Sequence, residues 1–171
     1  MCIFDIHHDY ALCDKTFCQY AIDNNRIRIK TLCDKERVVT LVWYSLGLIG
    51  NGGFRYYFEG KGNGDPGCVN TIAAYKQIGA MRAYMAFTLA EICFPSFKIP
   101  SDRDDRLQVL SSITHGTFNR ADSLFLDAIN EAVTCLARFI RSHQHGHSNL
   151  IPDKAMAEPA HSENHGESLR I

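Results

Sequence analysis

Hydrophobic residues recur at three- and four-residue steps along most of this chain, the spacing of one helix face. The step is plainest in Leu124, Phe125, Ala128, Ile129, Val133, Leu136, Phe139 and Ile140, which predict a long last helix opened by Asn119 or Asp122. Met81, Tyr84, Met85, Phe87, Leu89 and Ile92 predict another, stopped by Pro95. Before it, Val69, Ile72, Tyr75 and Ile78 form a helix whose start is signalled by Asp65-Pro66 and whose end is signalled by Gly79 in a left-handed cap. Ser101-Asp102 caps a short helix reaching Leu110 or Ile113. Residues 9–22 fit an amphipathic helix ended by Asp23-Asn24-Asn25.

Two stretches leave alternatives open. Val38, Val39, Leu41, Val42, Trp43, Leu46 and Ile49 predict a helix capped by Asp34 and starting at Lys35. Their β-branched content keeps a buried strand in competition, although about 15 residues is long for one. Gly50-Asn51-Gly52-Gly53 then punctuates the chain before a short aromatic element at residues 54–59. Residues 26–32 alternate basic and apolar positions and read as a short strand or as an extended connector. Beyond His143 the pattern stops, and residues 146–171 read as a disordered tail. The expectation is therefore an all-α, compact multi-helix single domain at residues 35–145. A helix and connector at residues 1–34 precede it, and the tail follows.

Composition narrows the function classes. The 171 residues are 46% hydrophobic and 22% charged, enough for a packed core and unlike a disordered chain. A net charge of −1 argues against direct nucleic-acid binding, which needs many cations. No apolar run is long enough to span a membrane, and residues 1–8 lack the form of a secretory signal, so a cytoplasmic location is expected. Seven cysteines without C-x-x-C spacing read as reduced thiols rather than a zinc site or disulfide framework.

No cofactor or metal is expected. Gly62-x-Gly64-x-x-Gly67 matches a dinucleotide fingerprint only in spelling, because no βαβ unit surrounds it. His143, His145 and His147 alternate in a segment without preorganisation. Neither Ser45, Ser96 nor Ser101 sits in a G-x-S-x-G elbow. No catalytic constellation is visible, so the chain is expected not to be an enzyme.

One charge concentration stands out. Asp102, Asp104, Asp105, Asp122, Asp127 and Glu131 face only Arg103, Arg106 and Arg120 over residues 101–131, a local net charge of −3. Such acids favour helix starts and solvate a helix face. They would equally suit a basic protein partner.

The ordered series Asn51-Gly52-Gly53-Phe54, Tyr56-Tyr57, Ile78-Gly79-Ala80, Phe94-Pro95 and Pro100-x-Asp102-x-x-x-Arg106, with Leu126-Asp127 and Phe139-Ile140-Arg141, spans roughly residues 35–145. It resembles a bacterial family of helical domains of unknown function marked by Asn-Gly-Gly-Phe, which includes a neisserial DNA-mimic protein. The resemblance implies a helical fold in which Asn51, Gly52, Gly53, Phe54, Tyr57, Gly79 and Arg106 form the hallmark, read here as structural. Asn51 is expected to cap the aromatic element while the glycines turn Phe54 into the core. Residues 35–145 hold 12 Lys and Arg against 10 Asp and Glu, so any mimicry must be local.

The expected function is non-enzymatic binding of another protein, modulating or inhibiting it. The partner would be a DNA-binding regulator met by DNA mimicry, or a toxin met by an immunity-type protein; a homodimer is compatible with either. The alternative is an enzyme of unknown chemistry with a pocket near Asn51 and Tyr57.

Overall fold

The computed structural model describes residues 5–22, 31–60 and 65–144. The protein is all-α: α1 (Ile6–Ile22), α2 (Asp34–Glu59), α3 (Val69–Gln77), α4 (Met81–Ile92), α5 (Arg103–Ser112) and α6 (Asn119–Gln144), with a 3-10 turn at Pro95–Phe97. The 26–32 connector falls largely, and the 146–171 tail wholly, outside the described residues, as do Gly62, Gly64, His145 and His147. Among the described residues no helix is long and apolar enough to cross a membrane, and no group of three or more His, Cys, Asp or Glu is placed to hold a metal.

α6 is the central element, packing against α1, α2 and α4. Its periodic apolar face explains this, since Phe125, Ala128, Ala132, Val133, Leu136 and Ala137 are all fully buried. Small residues at Ala128, Ala132 and Ala137 let neighbouring helices approach closely. α1 joins the same core through Cys13, which is buried and directs its thiol to the Val133 carbonyl.

Several boundaries differ from the sequence expectation. α1 begins three residues before Asp9. Asp34 is the first residue of α2 rather than its cap, and Glu36 instead reaches back to the Cys33 N–H at 3.1 Å. α3 starts at Val69, beyond Asp65-Pro66. Asp65 still serves that helix from a distance: its Oδ2 accepts the Thr71 N–H at 2.7 Å and the Thr71 hydroxyl at 2.8 Å. Gly79 behaves as expected. It takes φ 80°, and the Ala80→Tyr75 and Gly79→Lys76 backbone bonds around it close a Schellman motif.

The largest departure is α2. The helix passes through Gly50, Asn51 and Gly52 without ending and bends at Gly53, the one residue inside it with non-helical dihedrals. The bend divides α2 into a long first part and a short second part, residues 54–59. The second part lies antiparallel to α5, and each is held by an arginine of the other. Arg55 donates to the Leu110 and Ile113 carbonyls at the end of α5 at 2.8 and 3.0 Å. Arg106 donates from Nε to Phe58 O at 2.7 Å and from Nη2 to Gly60 O at 2.9 Å.

Arg106 is 1% exposed, and its Nη1 also reaches Pro100 O at 2.8 Å and Pro66 O at 3.2 Å. One buried guanidinium thus ties three chain segments through carbonyl oxygens. A planar fork of five N–H groups suits this task, and the negative end of a helix dipole is a favourable place for a cation. An ammonium cannot span those carbonyls. Arg106→Lys should therefore leave buried acceptors unpaired and cost about 3 kcal/mol, lowering Tm by about 6–12 °C. Thermal melts of the full chain followed by circular dichroism check this, and a shift inside about 2 °C would remove Arg106 from its tying role.

Candidate functional site

Gly53 adopts φ 71° and ψ −178°, a region open essentially to glycine. Space forbids a side chain as well, because a Cβ there would stand 2.9 Å from Asp122 Oδ1. The turn lets Phe54 drop into the interior, where its ring lies 4.9 Å from Phe87, 5.5 Å from Phe125 and 5.7 Å from Phe58. Gly52 is needed for a different reason: a Cβ there would meet the Tyr56 side chain at 2.6 Å.

The cap of the second part of α2 is not Asn51. Asp122, 68 residues away on α6, accepts the Phe54 N–H at 2.7 Å, a carboxylate at the positive end of a helix dipole. Asn51 is helical and exposed. Tyr57 is buried, and its hydroxyl donates to Thr71 Oγ1 at 3.3 Å, which carries the hallmark's contacts into the Asp65–Thr71 network. Of the hallmark residues, Phe54, Tyr57 and Arg106 are thus buried inside the fold, and Gly52, Gly53 and Gly79 serve its backbone turns.

The six acids do not form one face. Asp102, Asp104 and Asp105 are exposed together at the start of α5, where the Asp102 carboxylate accepts the Asp104 and Asp105 N–H groups at 2.9 and 3.0 Å. Asp127 stands apart on α6, 4.0 Å from Arg82. Asp122 is half-buried and turned to Phe54. Glu131 lies nine residues after Asp122, two and a half turns, and so on the opposite side of α6.

Beside Asn51 a cavity of about 320 Å³ opens between α1, α2 and α6. Its lining is aromatic, aliphatic and glycine, with Asn51 at one edge, and it holds no carboxylate, amine or imidazole. Such walls offer no general acid or base for the enzymatic alternative beyond the Tyr10 phenol, which burial, with a smaller contribution from Cys13, pushes above its usual range. The sequence placed a pocket near Asn51 and Tyr57; Asn51 does edge this cavity, whereas Tyr57 is buried and absent from its lining, and the contributions of Gly47 and Tyr10 were missed. Gly47, alone within an apolar helical run, was the available signal; Tyr10 could not have been added without the tertiary structure.

Three further nucleophile candidates, Ser45, Cys13 and Cys68, are internal. Ser45 is buried, donating to Leu41 O at 2.8 Å and lying 2.9 Å from the Tyr75 hydroxyl. Burial, with Asp9 adding to it, pushes the Cys13 thiol up to about 12. Burial, reinforced by Asp65, does the same to Cys68, also to about 12. Thiolate is the reactive form, so both are inert at ordinary pH.

These placements give two expected outcomes. Gly53→Val should cost about 3 kcal/mol. Asp122→Ala should cost about 1 kcal/mol, while Asp122→Asn, which keeps an acceptor, should stay near wild type. Urea unfolding midpoints read all three; equal losses for the Ala and Asn variants would contradict the capping role. In the second, iodoacetamide on the folded chain should label exposed Cys18 and Cys33 well before Cys13 and Cys68, as peptide mapping by mass spectrometry would record.

No curated protein and no solved structure matches the chain. A family model described as DMP19-like protein matches residues 30–143, which include the bent α2, the hallmark turn, Arg55 and Arg106, and the chain belongs to that family.

Proposed function

We propose that this chain is a non-enzymatic binding domain that modulates a basic, DNA-binding protein by offering carboxylates where that partner takes phosphates. The observation that carries the reading is the state of the cations beside the acidic tip of α5. Arg106 is buried and engaged by carbonyls, and Arg103 donates to the Glu59 carbonyl at 3.5 Å. Asp104 and Asp105 are exposed, and among the described residues no ion pair neutralises them. With Arg106 buried, the exposed carboxylates of Asp102, Asp104 and Asp105 outnumber the one exposed guanidinium of the same turn, Arg103, so a near-neutral chain carries a locally negative tip. Membership of the DMP19-like family, with the DNA mimic that the Asn-Gly-Gly-Phe resemblance brings in, supports the same reading.

The contact should be electrostatic and therefore weaken steeply as salt shortens the Debye length below about 10 Å. Asp104→Asn with Asp105→Asn leaves the Asp102 cap in place and should hold Tm within about 2 °C, since exposed helix charges contribute little to stability. Immobilised wild-type and doubly substituted chains can be challenged with the proteins of the native cell that DNA-cellulose retains. The expected result is a protein held by the wild type at low salt, released by duplex DNA and lost from the variant. Simultaneous binding of duplex DNA and this chain to the retained protein would overturn mimicry, and equal retention by the variant would overturn the α5 tip as the contact.

A further inference from the structure

Trp43, Gly47 and Asn51 follow one another at four-residue steps on the first part of α2, so they share a face about 12 Å long. Tyr10 of α1 closes one side of that face, its ring edge-on to Trp43 at 6.0 Å. Side chains of α6 close the other side, giving the cavity of about 320 Å³. Pockets for small ligands run from about 300 to 1,000 Å³, so this one has room for a single side chain rather than a nucleotide cofactor.

Gly47 is the telling residue. It has helical backbone, and a Cβ built on it would meet nothing within 4 Å. No contact among the described residues requires glycine there, and glycine within a helix costs about 1 kcal/mol relative to alanine. What its missing side chain does is leave the floor of the cavity open. At the cavity's edge, the Asn51 carboxamide makes no hydrogen bond to any described residue and is exposed to solvent. It presents one acceptor and two donors, the complement of a peptide group. The lining contains no Asp, Glu, Lys, Arg or His. A charged ligand would be desolvated there without a counter-charge, which restricts the occupant to a neutral group.

We infer that this cavity receives a neutral peptide segment, one apolar or aromatic side chain entering between Tyr10 and Trp43 over Gly47 while its adjoining main-chain amide pairs with Asn51. The site shares no residue with the acidic tip of α5 and stands independently of the reading given for it.

Trp43 is the single tryptophan of the chain, so its emission reports on this cavity alone. The full chain is titrated with N-acetyl-phenylalaninamide and N-acetyl-leucinamide under tryptophan-selective excitation, with N-acetyl-lysinamide and N-acetyl-aspartate amide as charged counterparts. The expected result is a saturable change with the neutral probes and a much weaker one with the charged probes. Asn51→Ala should lower the affinity about tenfold, the worth of a good hydrogen bond. Gly47→Leu fills the floor and should abolish the response while keeping or raising Tm, since leucine is the better helix former. Far-ultraviolet circular dichroism confirms the fold of each variant. No saturable change in the folded wild type, an undiminished response in Gly47→Leu, equal affinity for charged probes, or unchanged affinity in Asn51→Ala would each overturn the proposal.

Discussion

Gly53 adopts a backbone conformation that only glycine occupies without strain, and in doing so redirects a 26-residue helix. A straight α2 would carry Phe54, Tyr57 and Phe58 along the line of its first part. Bent, it delivers all three into the interior, where they meet Phe87, Phe94, Phe118 and Phe125. The bend also breaks the hydrogen-bond ladder and leaves a new helix start inside the protein, with a buried donor that needs an acceptor. Asp122 supplies it from α6. The residue that permits the turn and the residue that satisfies its consequence are on different helices, so α2 and α6 dock with their relative register fixed.

The other end of the same segment is handled in the opposite charge. The carbonyls of Phe58 and Gly60 point at Arg106, so residues 54–59 carry a carboxylate at their start and a guanidinium at their end. This matches the direction of a helix dipole at both termini. Arg55 returns the service to α5, whose last carbonyls it binds. A guanidinium buried without a carboxylate partner is ordinarily costly. Here its charge is met by carbonyl dipoles from three segments, and its removal would free all three.

Much of this was legible in the sequence. Periodic apolar positions placed α4 and α6, Pro95 ended α4, Asp102 capped α5, and Gly79 marked the end of α3. Each of those signals acts within a few residues of its effect. The continuity of α2 was not legible, because three glycines in four residues ordinarily end a helix, and which of them departs from helical dihedrals depends on packing. The role of Asp122 was hidden for the same reason. From the sequence it is one acid among six near a helix start; only the return of α6 against the Gly53 turn gives it a donor. The start of α3 slipped by three residues because Asp65 caps through Thr71 rather than at the residues directly following it.

This division bears on how function is distributed over the molecule. Hallmark residues in a helical domain need not be a site, and here Gly52, Gly53, Phe54, Tyr57, Gly79 and Arg106 are each accounted for by backbone geometry or internal bonding. Two of the six acids behave oppositely: Asp102 keeps its exposed place at the tip of α5 while Asp122 is turned toward the Phe54 N–H. Charge count therefore misstates what a partner meets. Arg106 contributes to the net charge but is hidden, and Asp122 contributes equally and is half-hidden, whereas Asp104 and Asp105 contribute the same formal charge and face water. A chain of net charge −1 can present a negative surface where a cation is buried and its acidic neighbours are not, and at the start of α5 Arg106 is buried while Asp102, Asp104 and Asp105 face water beside the exposed Arg103.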